Sequence, residues 1–181
     1  MHPLQIQQVK QILSEINPLK VNRPKAAAVL MILCNDPLEL LFTVRSKDLN
    51  NHAGQISFPG GKQEPSESLK ETALRETKEE IGLTNIDLLG HFYNLPSKAS
   101  DVYVSAFVGY KQHINIKELV LNNNEVSEAF LVPMRYFVDQ KRTLLNTCYT
   151  FKYNHHIIWG LTGYLTKRFV TDVYQLTKDL P

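Results

Sequence analysis

The sequence has few cysteines and almost no excess charge, and both features limit the class of protein. Cys34 and Cys148 are the only cysteines among 181 residues, and neither belongs to a CxxC or other metal-knuckle pattern. A disulfide framework is not indicated, and we expect a reduced, cytoplasmic protein. Twenty basic residues against eighteen acidic ones leave a formal charge of +2. This balance argues against nucleic acid or an anionic membrane as the main partner.

Long hydrophobic segments are also lacking. The longest unbroken apolar run is Ala26–Cys34, far shorter than the roughly 20 residues that a membrane-spanning helix needs. No apolar stretch follows the start of the chain, so we expect no secretory signal. The hydrophobic content of 43% and charged content of 21% are those of a globular protein, and the length is typical of one domain. We therefore predict a single domain over residues 1–181.

The first 22 residues are predicted to form a helical extension. Ile6, Val9, Leu13 and Ile16 recur at spacings of three and four, which is the apolar stripe of an amphipathic helix. The helix should end at Asn17, because a residue that precedes proline is pushed out of the helical region. We expect the stripe to pack on the body of the domain, and a helix that binds a partner is the alternative.

The rest of the chain mixes strand and helix patterns without strict alternation. Short apolar segments bounded by turn residues predict strands, and longer periodic segments predict helices. We predict an α/β protein with a central mixed sheet and helices on its faces. The predicted strands are Ala26–Cys34, Leu38–Val44, Gln55–Phe58, Ile86–Phe92, Tyr103–Tyr110, Glu128–Val132 and a late hairpin of Tyr149–Tyr153 with Ile157–Trp159; the predicted helices are Leu69–Ile81 and Leu161–Tyr174.

The helix predicted over Leu69–Ile81 is unusually acidic. Ser68 followed by Glu71 is the start of a capping box, and Gly82 is a natural left-handed stop. Glu76, Glu79 and Glu80 lie at positions i, i+3 and i+4, so their carboxylates gather on one face. A solvated acidic face is one interpretation of this pattern. A site for a hard divalent cation, which prefers oxygen ligands, is the other.

The surrounding residues favour the cation site, because they resemble the Nudix box, G-x5-E-x7-R-E-U-x-E-E-x-G-U, where U is a bulky aliphatic residue. The box would cover residues 61–83, with Thr77 at the first U position as a mild departure. The resemblance implies a Nudix-type α/β/α sandwich with a central mixed β-sheet. It also implies metal-dependent hydrolysis of a nucleoside diphosphate linked to another moiety.

The resemblance also implies roles for individual residues. Glu76 and Glu80 would be the main ligands of Mg²⁺ or Mn²⁺, and Glu79 would be a further ligand or would activate water. The Gly60 carbonyl would complete the metal's coordination. Arg75 would orient Glu79, and Glu67 would support the loop from behind these residues.

A second motif lies directly before the box and is more specific. Leu41–Ser46, then Gly54, then Phe58–Gly61 resemble L-L-T-x-R-[SA]-x3-R-x3-G-x3-F-P-G-G of the coenzyme A pyrophosphatase branch. This resemblance implies cleavage of coenzyme A or acyl-CoA to 3′,5′-ADP and 4′-phosphopantetheine or its acylated form. Asn50 stands where the branch motif has its second arginine, so the resemblance implies that one cationic contact to the substrate would be lost. Another nucleoside diphosphate, such as ADP-ribose, is the alternative substrate, and a non-catalytic module that senses nucleotide or coenzyme A is the alternative function.

Arg45, His52 and Gly61 are the candidate substrate-binding residues. Guanidinium groups bind phosphate with two parallel hydrogen bonds, although Arg45 could instead pair with a glutamate of the box. His52 could line the pyrophosphate channel or serve only the structure.

Three other features of the sequence carry weaker signals. Glu125 or Glu128 could supply a late metal-binding or base carboxylate, and the sequence does not choose between them. His155 and His156 are predicted to lie in an exposed turn without a third ligand for zinc. Trp159 is predicted to anchor the core. The sequence leaves the oligomeric state open, a homodimer included.

Overall fold

The computed structural model of the protein describes residues 3–16, 25–48, 53–96, 102–139, 144–145 and 148–177. The predicted stop at Asn17, the substituted motif position Asn50 and the candidate His52 lie outside these residues. The helices are α1 (Pro3–Glu15), α2 (Leu69–Ile81), α3 (Met134–Asp139) and α4 (Gly160–Phe169), and α4 continues as a π-helical turn over Val170–Tyr174. The strands are β1 (Ala26–Cys34), β2 (Glu39–Arg45), β3 (Ile56–Ser57), β4 (Gly60–Lys62), β5 (Asp87–Pro96), β6 (Tyr103–Lys111), β7 (Val126–Pro133), β8 (Leu144–Leu145), β9 (Cys148–Tyr149), β10 (Phe151–Tyr153) and β11 (His156–Ile158).

The first seven strands form one mixed sheet around β1. Along one edge β1 pairs in parallel with β6, from Ala26 with Tyr103 to Cys34 with Lys111. On its other edge β1 pairs with β2 only at the hairpin turn and with β4 further back. Beyond the hairpin turn, β2 pairs with β3 in place of β1, and β7 pairs with the other edge of β2 along its length. The two strands therefore part from each other, and the segment from β3 to β4 crosses between them.

Hydrophobic residues cover both faces of this sheet, as expected for a strand buried on both sides. Along β1, Met31 and Leu33 pack into the cluster beneath α1, α3 and α4. Leu30 and Ile32 alternate with them and pack into the cluster beneath α2. The period of two thus assigns successive side chains to opposite faces. This arrangement confirms the predicted α/β/α sandwich with a central mixed sheet.

The long elements agree with the sequence predictions. Strand β1 and helix α2 have the predicted bounds, and the late hairpin turns at Asn154-His155 as predicted. The pattern did not predict β4, α3 or the short 3₁₀ turn at Ile116–Glu118. In α1, Val9 and Leu13 are buried in the core cluster, so the apolar stripe packs on the domain as expected. None of the described helices is both long and apolar enough to cross a bilayer.

Candidate active site

Local contacts fix both ends of α2. The Ser68 hydroxyl accepts a hydrogen bond from the Glu71 backbone N–H, and the Glu71 carboxylate accepts one from the Ser68 N–H. At the other end Gly82 has a φ of 69°, and its N–H donates to the Lys78 carbonyl. Caps of this kind satisfy backbone groups that the helix leaves unpaired. They set the register in which α2 presents its glutamates.

Three carboxylates converge at the C-terminal half of α2. One oxygen each from Glu76, Glu80 and Glu125 lies within 4.8 Å of the others. Glu125 comes from the turn before β7, and two backbone hydrogen bonds hold this turn in place. The Asn122 N–H donates to the Glu80 carbonyl at 2.9 Å, and the Ser46 N–H donates to the Glu125 carbonyl at 2.8 Å. We call these three residues the carboxylate cluster.

Burial and mutual repulsion disfavour full ionisation of this cluster. Glu80 is only 3% exposed. Burial first, and the charge on Glu76 second, raise the pKa of Glu80 to about 8, although the Gly60 N–H and the charge on Arg45 oppose this rise. Burial also raises the pKa of Glu76. A bound cation would remove the cost of holding these charges together.

Arg75 binds three carboxylates around the cluster. Its Nε and Nη2 donate to the two oxygens of Glu67 at 3.1 and 2.9 Å, and its Nη1 donates to Glu76 at 3.0 Å and to Glu79 at 2.8 Å. This guanidinium lowers the pKa of Glu67 to about 2, and hydrogen bonds from the Glu64 backbone N–H and the Thr72 hydroxyl act in the same direction. The network fixes the side chain of Glu76 within the cluster. The same guanidinium contacts Glu79, and the role of Arg75 in orienting Glu79 stays a prediction.

Glu79 itself is not part of the carboxylate cluster. Its side chain is 52% exposed and is held by Arg75, and the third carboxylate of the cluster is that of Glu125. The sequence had left Glu125 and Glu128 as equal candidates for a late carboxylate. The structure separates them, since Glu128 lies with His155 and His156 instead. The roles of Glu79 as a further ligand or as the group that activates water stay predictions.

Steric contacts explain both glycines of the Gly60-Gly61 corner. A Cβ on Gly60 would lie 2.2 Å from the Ala28 carbonyl oxygen, and Gly60 has a φ of 153°. A Cβ on Gly61 would lie 2.3 Å from a carboxylate oxygen of Glu76. The Gly60 contact that the structure shows is its N–H, which donates to Glu80 at 3.3 Å. The predicted metal contact through the Gly60 carbonyl and the predicted substrate contact at Gly61 stay predictions.

Arg45 stands at the end of β2 beside the carboxylate cluster. Its positive charge lowers the pKa of Glu80, yet it forms no ion pair with a carboxylate of the described residues. Its Nε is buried and has no hydrogen-bond partner among them. A buried donor without a partner costs free energy, so this guanidinium is suited to an anionic group that arrives from outside.

A pocket with a volume of about 850 Å³ lies next to this arginine. Its wall includes Ser46 and Lys47 from the segment after β2, and Glu128, His155 and Trp159 from β7 and the β10–β11 hairpin. Ser46 links the pocket to the cluster, because its N–H donates to the Glu125 carbonyl. The prediction that Trp159 anchors the core is wrong, since Trp159 is 49% exposed. Trp159 directly follows the last residue of β11, Ile158, which is fully buried, and its side chain lies on the opposite, exposed side.

The prediction for the two adjacent histidines is also wrong in part. His155 is exposed in the turn, but His156 begins β11 and is buried with its ring stacked on Phe130. A third candidate ligand is present, because Glu128 lies 3.2 Å from the His156 Nε2 and 4.0 Å from the His155 Nε2. The sequence could not show this group, since Glu128 is separated from the histidines by 27 and 28 positions.

The carboxylate cluster fits a hard divalent cation. It offers three carboxylate ligands at short mutual distances, one of them almost fully buried. Mg²⁺ and Mn²⁺ are bound through carboxylates together with water and substrate phosphates. The donor set therefore agrees with a metal-assisted hydrolase.

Comparison with known proteins identifies the family. The chain matches the family described as NUDIX domain over residues 24–146. Mitochondrial coenzyme A diphosphatase NUDT8 of Homo sapiens is 38% identical over 164 residues, which are 80% of this chain and 68% of that protein. A Nudix hydrolase named NudL from Yersinia enterocolitica is 36% identical over 162 residues, covering 84% of this chain and 83% of that protein.

The fold comparison agrees with the sequence comparison. The crystal structure of a NUDIX hydrolase from Nitrosomonas europaea superposes with a TM-score of 0.59 over 89% of this chain and 78% of that one, at 14% identity. This likeness supports the fold alone. The expected cytoplasmic location stays a prediction, since the human relative is named as mitochondrial. The family match spans more than half of the chain and its motif residues form one site, so the chain belongs to the Nudix family and is a hydrolase of the pyrophosphatase type.

Proposed function

We propose that this protein hydrolyses the diphosphate of coenzyme A or acyl-CoA, giving 3′,5′-ADP and 4′-phosphopantetheine or its acylated form. The observation that carries the substrate assignment is the position of the Leu41–Gly61 motif in the fold. This segment supplies Arg45 beside the carboxylate cluster, and the residues that follow Arg45, Ser46 and Lys47, form part of the pocket wall. The human relative at 38% identity, which is named as a coenzyme A diphosphatase, supports the same substrate.

The side chains divide the work around the diphosphate. Glu76, Glu80 and Glu125 would hold Mg²⁺ or Mn²⁺, and Arg45 would donate to the phosphate oxygens. The ion, when bound, neutralises the charge that repels an incoming nucleophile and lowers the pKa of water. Glu79, held by Arg75 at 2.8 Å and exposed enough to reach solvent, is the candidate to accept the proton of the attacking water.

The organic part of the substrate would occupy the pocket beside Arg45. Lys47 is exposed on its wall and supplies a positive charge, and the exposed ring of Trp159 supplies an apolar surface. A ligand that carries phosphates together with an aromatic base or an amide chain matches this mixture.

A product assay tests the proposal. The purified protein is incubated with coenzyme A, ADP-ribose, a diadenosine polyphosphate or dGTP, each with and without Mg²⁺ or Mn²⁺. We expect metal-dependent release of 3′,5′-ADP from coenzyme A at the highest kcat/KM of the panel. Intact coenzyme A in a sample that cleaves another diphosphate would disprove the substrate assignment while leaving the reaction class in place.

The alternative substrate is another nucleoside diphosphate such as ADP-ribose. It is favoured by Asn50, which replaces a motif arginine.

The substitution Arg45→Gln tests whether Arg45 contacts the substrate, and Arg135→Gln, at an exposed arginine, is its control. Loss of a charged hydrogen bond costs about 1.5–3 kcal/mol, so we expect kcat/KM to fall roughly 10- to 100-fold for Arg45→Gln alone.

A further inference from the structure

The β10–β11 hairpin and β7 bring three metal-ligating side chains together outside the carboxylate cluster. Glu128, His155 and His156 each offer one ligand atom, and these atoms lie within 4.8 Å of one another. Two nitrogen donors and one carboxylate oxygen form a different donor set from the all-oxygen cluster. Imidazole ligands suit zinc and similar transition ions, whereas Mg²⁺ prefers oxygen.

The turn of the hairpin explains why two adjacent histidines face the same carboxylate. Successive residues of a regular strand point to opposite faces. Here Asn154 has a φ of 53° and His155 still belongs to the turn, so the alternation begins only at His156. The two imidazole rings lie with centroids 3.9 Å apart and inclined by 37°. Both therefore reach Glu128 on β7.

His156 provides independent evidence for a missing partner. Its side chain is only 8% exposed, and neither ring nitrogen has a hydrogen-bond partner among the described residues. Its Nε2 lies 3.2 Å from Glu128, which is close enough for an ion pair when the ring is protonated, but the two form no hydrogen bond. The ring is held flat against Phe130, at 3.7 Å between centroids. Buried polar groups are normally satisfied, and a metal ion bound to Nε2 would satisfy this one.

The distances agree with a compact coordination sphere. Zinc binds nitrogen and carboxylate oxygen at about 2.0–2.2 Å, which places neighbouring ligand atoms of a tetrahedral site roughly 3.3 Å apart. The Glu128 carboxylate lies 3.2 Å from the His156 Nε2 and 4.0 Å from the His155 Nε2. His155 is 77% exposed and Glu128 is 44% exposed, so small rotations of these two side chains would close the remaining gap.

We propose that Glu128, His155 and His156 form a second metal site, which binds a transition ion of the zinc type. Three protein ligands leave a fourth position open, as in zinc sites that bind a further ligand. All three residues line the pocket beside Arg45. The open position therefore faces the pocket and is available to an anionic or thiol group there.

Metal binding in the absence of substrate tests this site separately from the proposed activity. The protein used is the full chain with Glu76→Gln and Glu80→Gln, so that the carboxylate cluster no longer competes for the ion. It is stripped with a chelator, and Zn²⁺ binding is measured by calorimetry. Co²⁺ in place of zinc reports the ligand geometry through its visible absorption. We expect one Zn²⁺ per chain and a cobalt spectrum typical of four-coordinate nitrogen and oxygen ligands.

Variants of the histidines decide whether this ion sits at the proposed place. His155→Gln removes an exposed ligand without disturbing the core, and His156→Gln removes the buried one. We expect each to weaken Zn²⁺ binding at least about tenfold, since even the loss of an outer partner costs metal sites 10- to 100-fold. His113→Gln, at an exposed histidine outside the group, should bind as the parent does. The proposal would be overturned if the protein with Glu76→Gln and Glu80→Gln bound no Zn²⁺. It would also be overturned if adding His155→Gln to that protein left its affinity for Zn²⁺ unchanged.

Discussion

The carboxylate cluster and the group of Glu128, His155 and His156, here called the histidine group, are two sets of candidate metal ligands that are supported very differently. Glu76 of the cluster is held by Arg75, and Glu80 accepts from the Gly60 N–H. His156 of the second group has no hydrogen bond to either ring nitrogen among the described residues. Outer hydrogen bonds orient the ligands of a metal site. The comparison teaches that hydrogen bonds hold the carboxylates of the cluster, whereas His156 is held by stacking on Phe130 and its ring nitrogens are left available to a ligand.

Substitution of Glu80, the buried carboxylate of the cluster, should give the largest loss of activity. Glu80→Gln keeps the shape of the side chain but removes a negative charge from the cluster. We expect kcat/KM for the cleaved diphosphate to fall at least about 10²-fold, the size seen when one charge-stabilising group is lost from an active site. Circular dichroism and a retained thermal transition control for folding. Near-normal turnover in this variant would contradict the metal assignment.

A matched pair of substitutions then separates the two groups. Glu125 and Glu128 are three positions apart, but only Glu125 belongs to the carboxylate cluster. We expect Glu125→Gln to lower kcat roughly 10- to 100-fold, as loss of support around a metal does, and Glu128→Gln to have a smaller effect that falls mainly on KM. Steady-state kinetics at saturating Mg²⁺ would measure both. An equal loss of kcat in the two variants would show that the groups do not act separately.

The pH dependence of stability without metal tests the electrostatics of the cluster. Because the pKa of Glu80 is raised to about 8 in the folded protein and is near 4.3 in an unfolded chain, the folded state binds more protons between these values. Stability in EDTA should therefore fall as pH rises from 6 to 8, by about 2 kcal/mol.

Glu80→Gln should lack this loss, because glutamine does not titrate. Urea unfolding of both proteins at pH 6 and pH 8 would measure the difference. Parallel curves for the two proteins would contradict the burial of an ionised Glu80. Added Mg²⁺ should reduce the loss in the parent protein, since an ion bound by the ionised cluster stabilises the folded state.

The smallest loss of activity is expected from substitution of Arg75, which contacts the carboxylate cluster without belonging to it. Arg75→Lys keeps the positive charge but cannot hold Glu67, Glu76 and Glu79 together, because lysine lacks the planar fork of guanidinium. We expect kcat to fall about tenfold, with Arg135→Lys unchanged as the exposed control. The concentration of Mg²⁺ needed for half activity should rise as well. A change in neither quantity would show that the Arg75 network is structural only.

Elements with strong local signals could be predicted from the sequence. Helix α2 carries a capping box at Ser68 and a left-handed glycine at Gly82, and its bounds were predicted without error. Strand β1 is a continuous apolar run between turn residues, and its bounds were also correct. In contrast, β4 consists of Gly60, Gly61 and Lys62, which have no strand preference of their own. It is a strand because the edge of β1 offers it hydrogen bonds.

Long-range proximity explains what the sequence could not show at the site. The box residues lie within one stretch, so the pattern predicted that they gather together. Glu125 comes from a distant turn, which the Asn122 N–H joins to the Glu80 carbonyl of α2 and the Ser46 N–H joins to the segment after β2. The apolar neighbours of Trp159 predict a core position for it, and this prediction is wrong. All three residues Ile157, Ile158 and Trp159 are apolar, so the sequence does not show which side of the strand is exposed; in the structure Ile158 is buried, and Ile157 and Trp159 are exposed.

The parallel pairing of β1 with β6 has a consequence for the way the protein is made. Ala26 pairs with Tyr103, which is 77 positions later in the chain. On the ribosome, β1 and α2 leave the exit tunnel before β6, the strand that completes the sheet beneath α2. Contacts between residues so far apart in sequence form slowly. The nascent chain therefore exposes the apolar residues of β1 until β6 emerges, and this interval is when the protein is most open to aggregation or to binding by a chaperone.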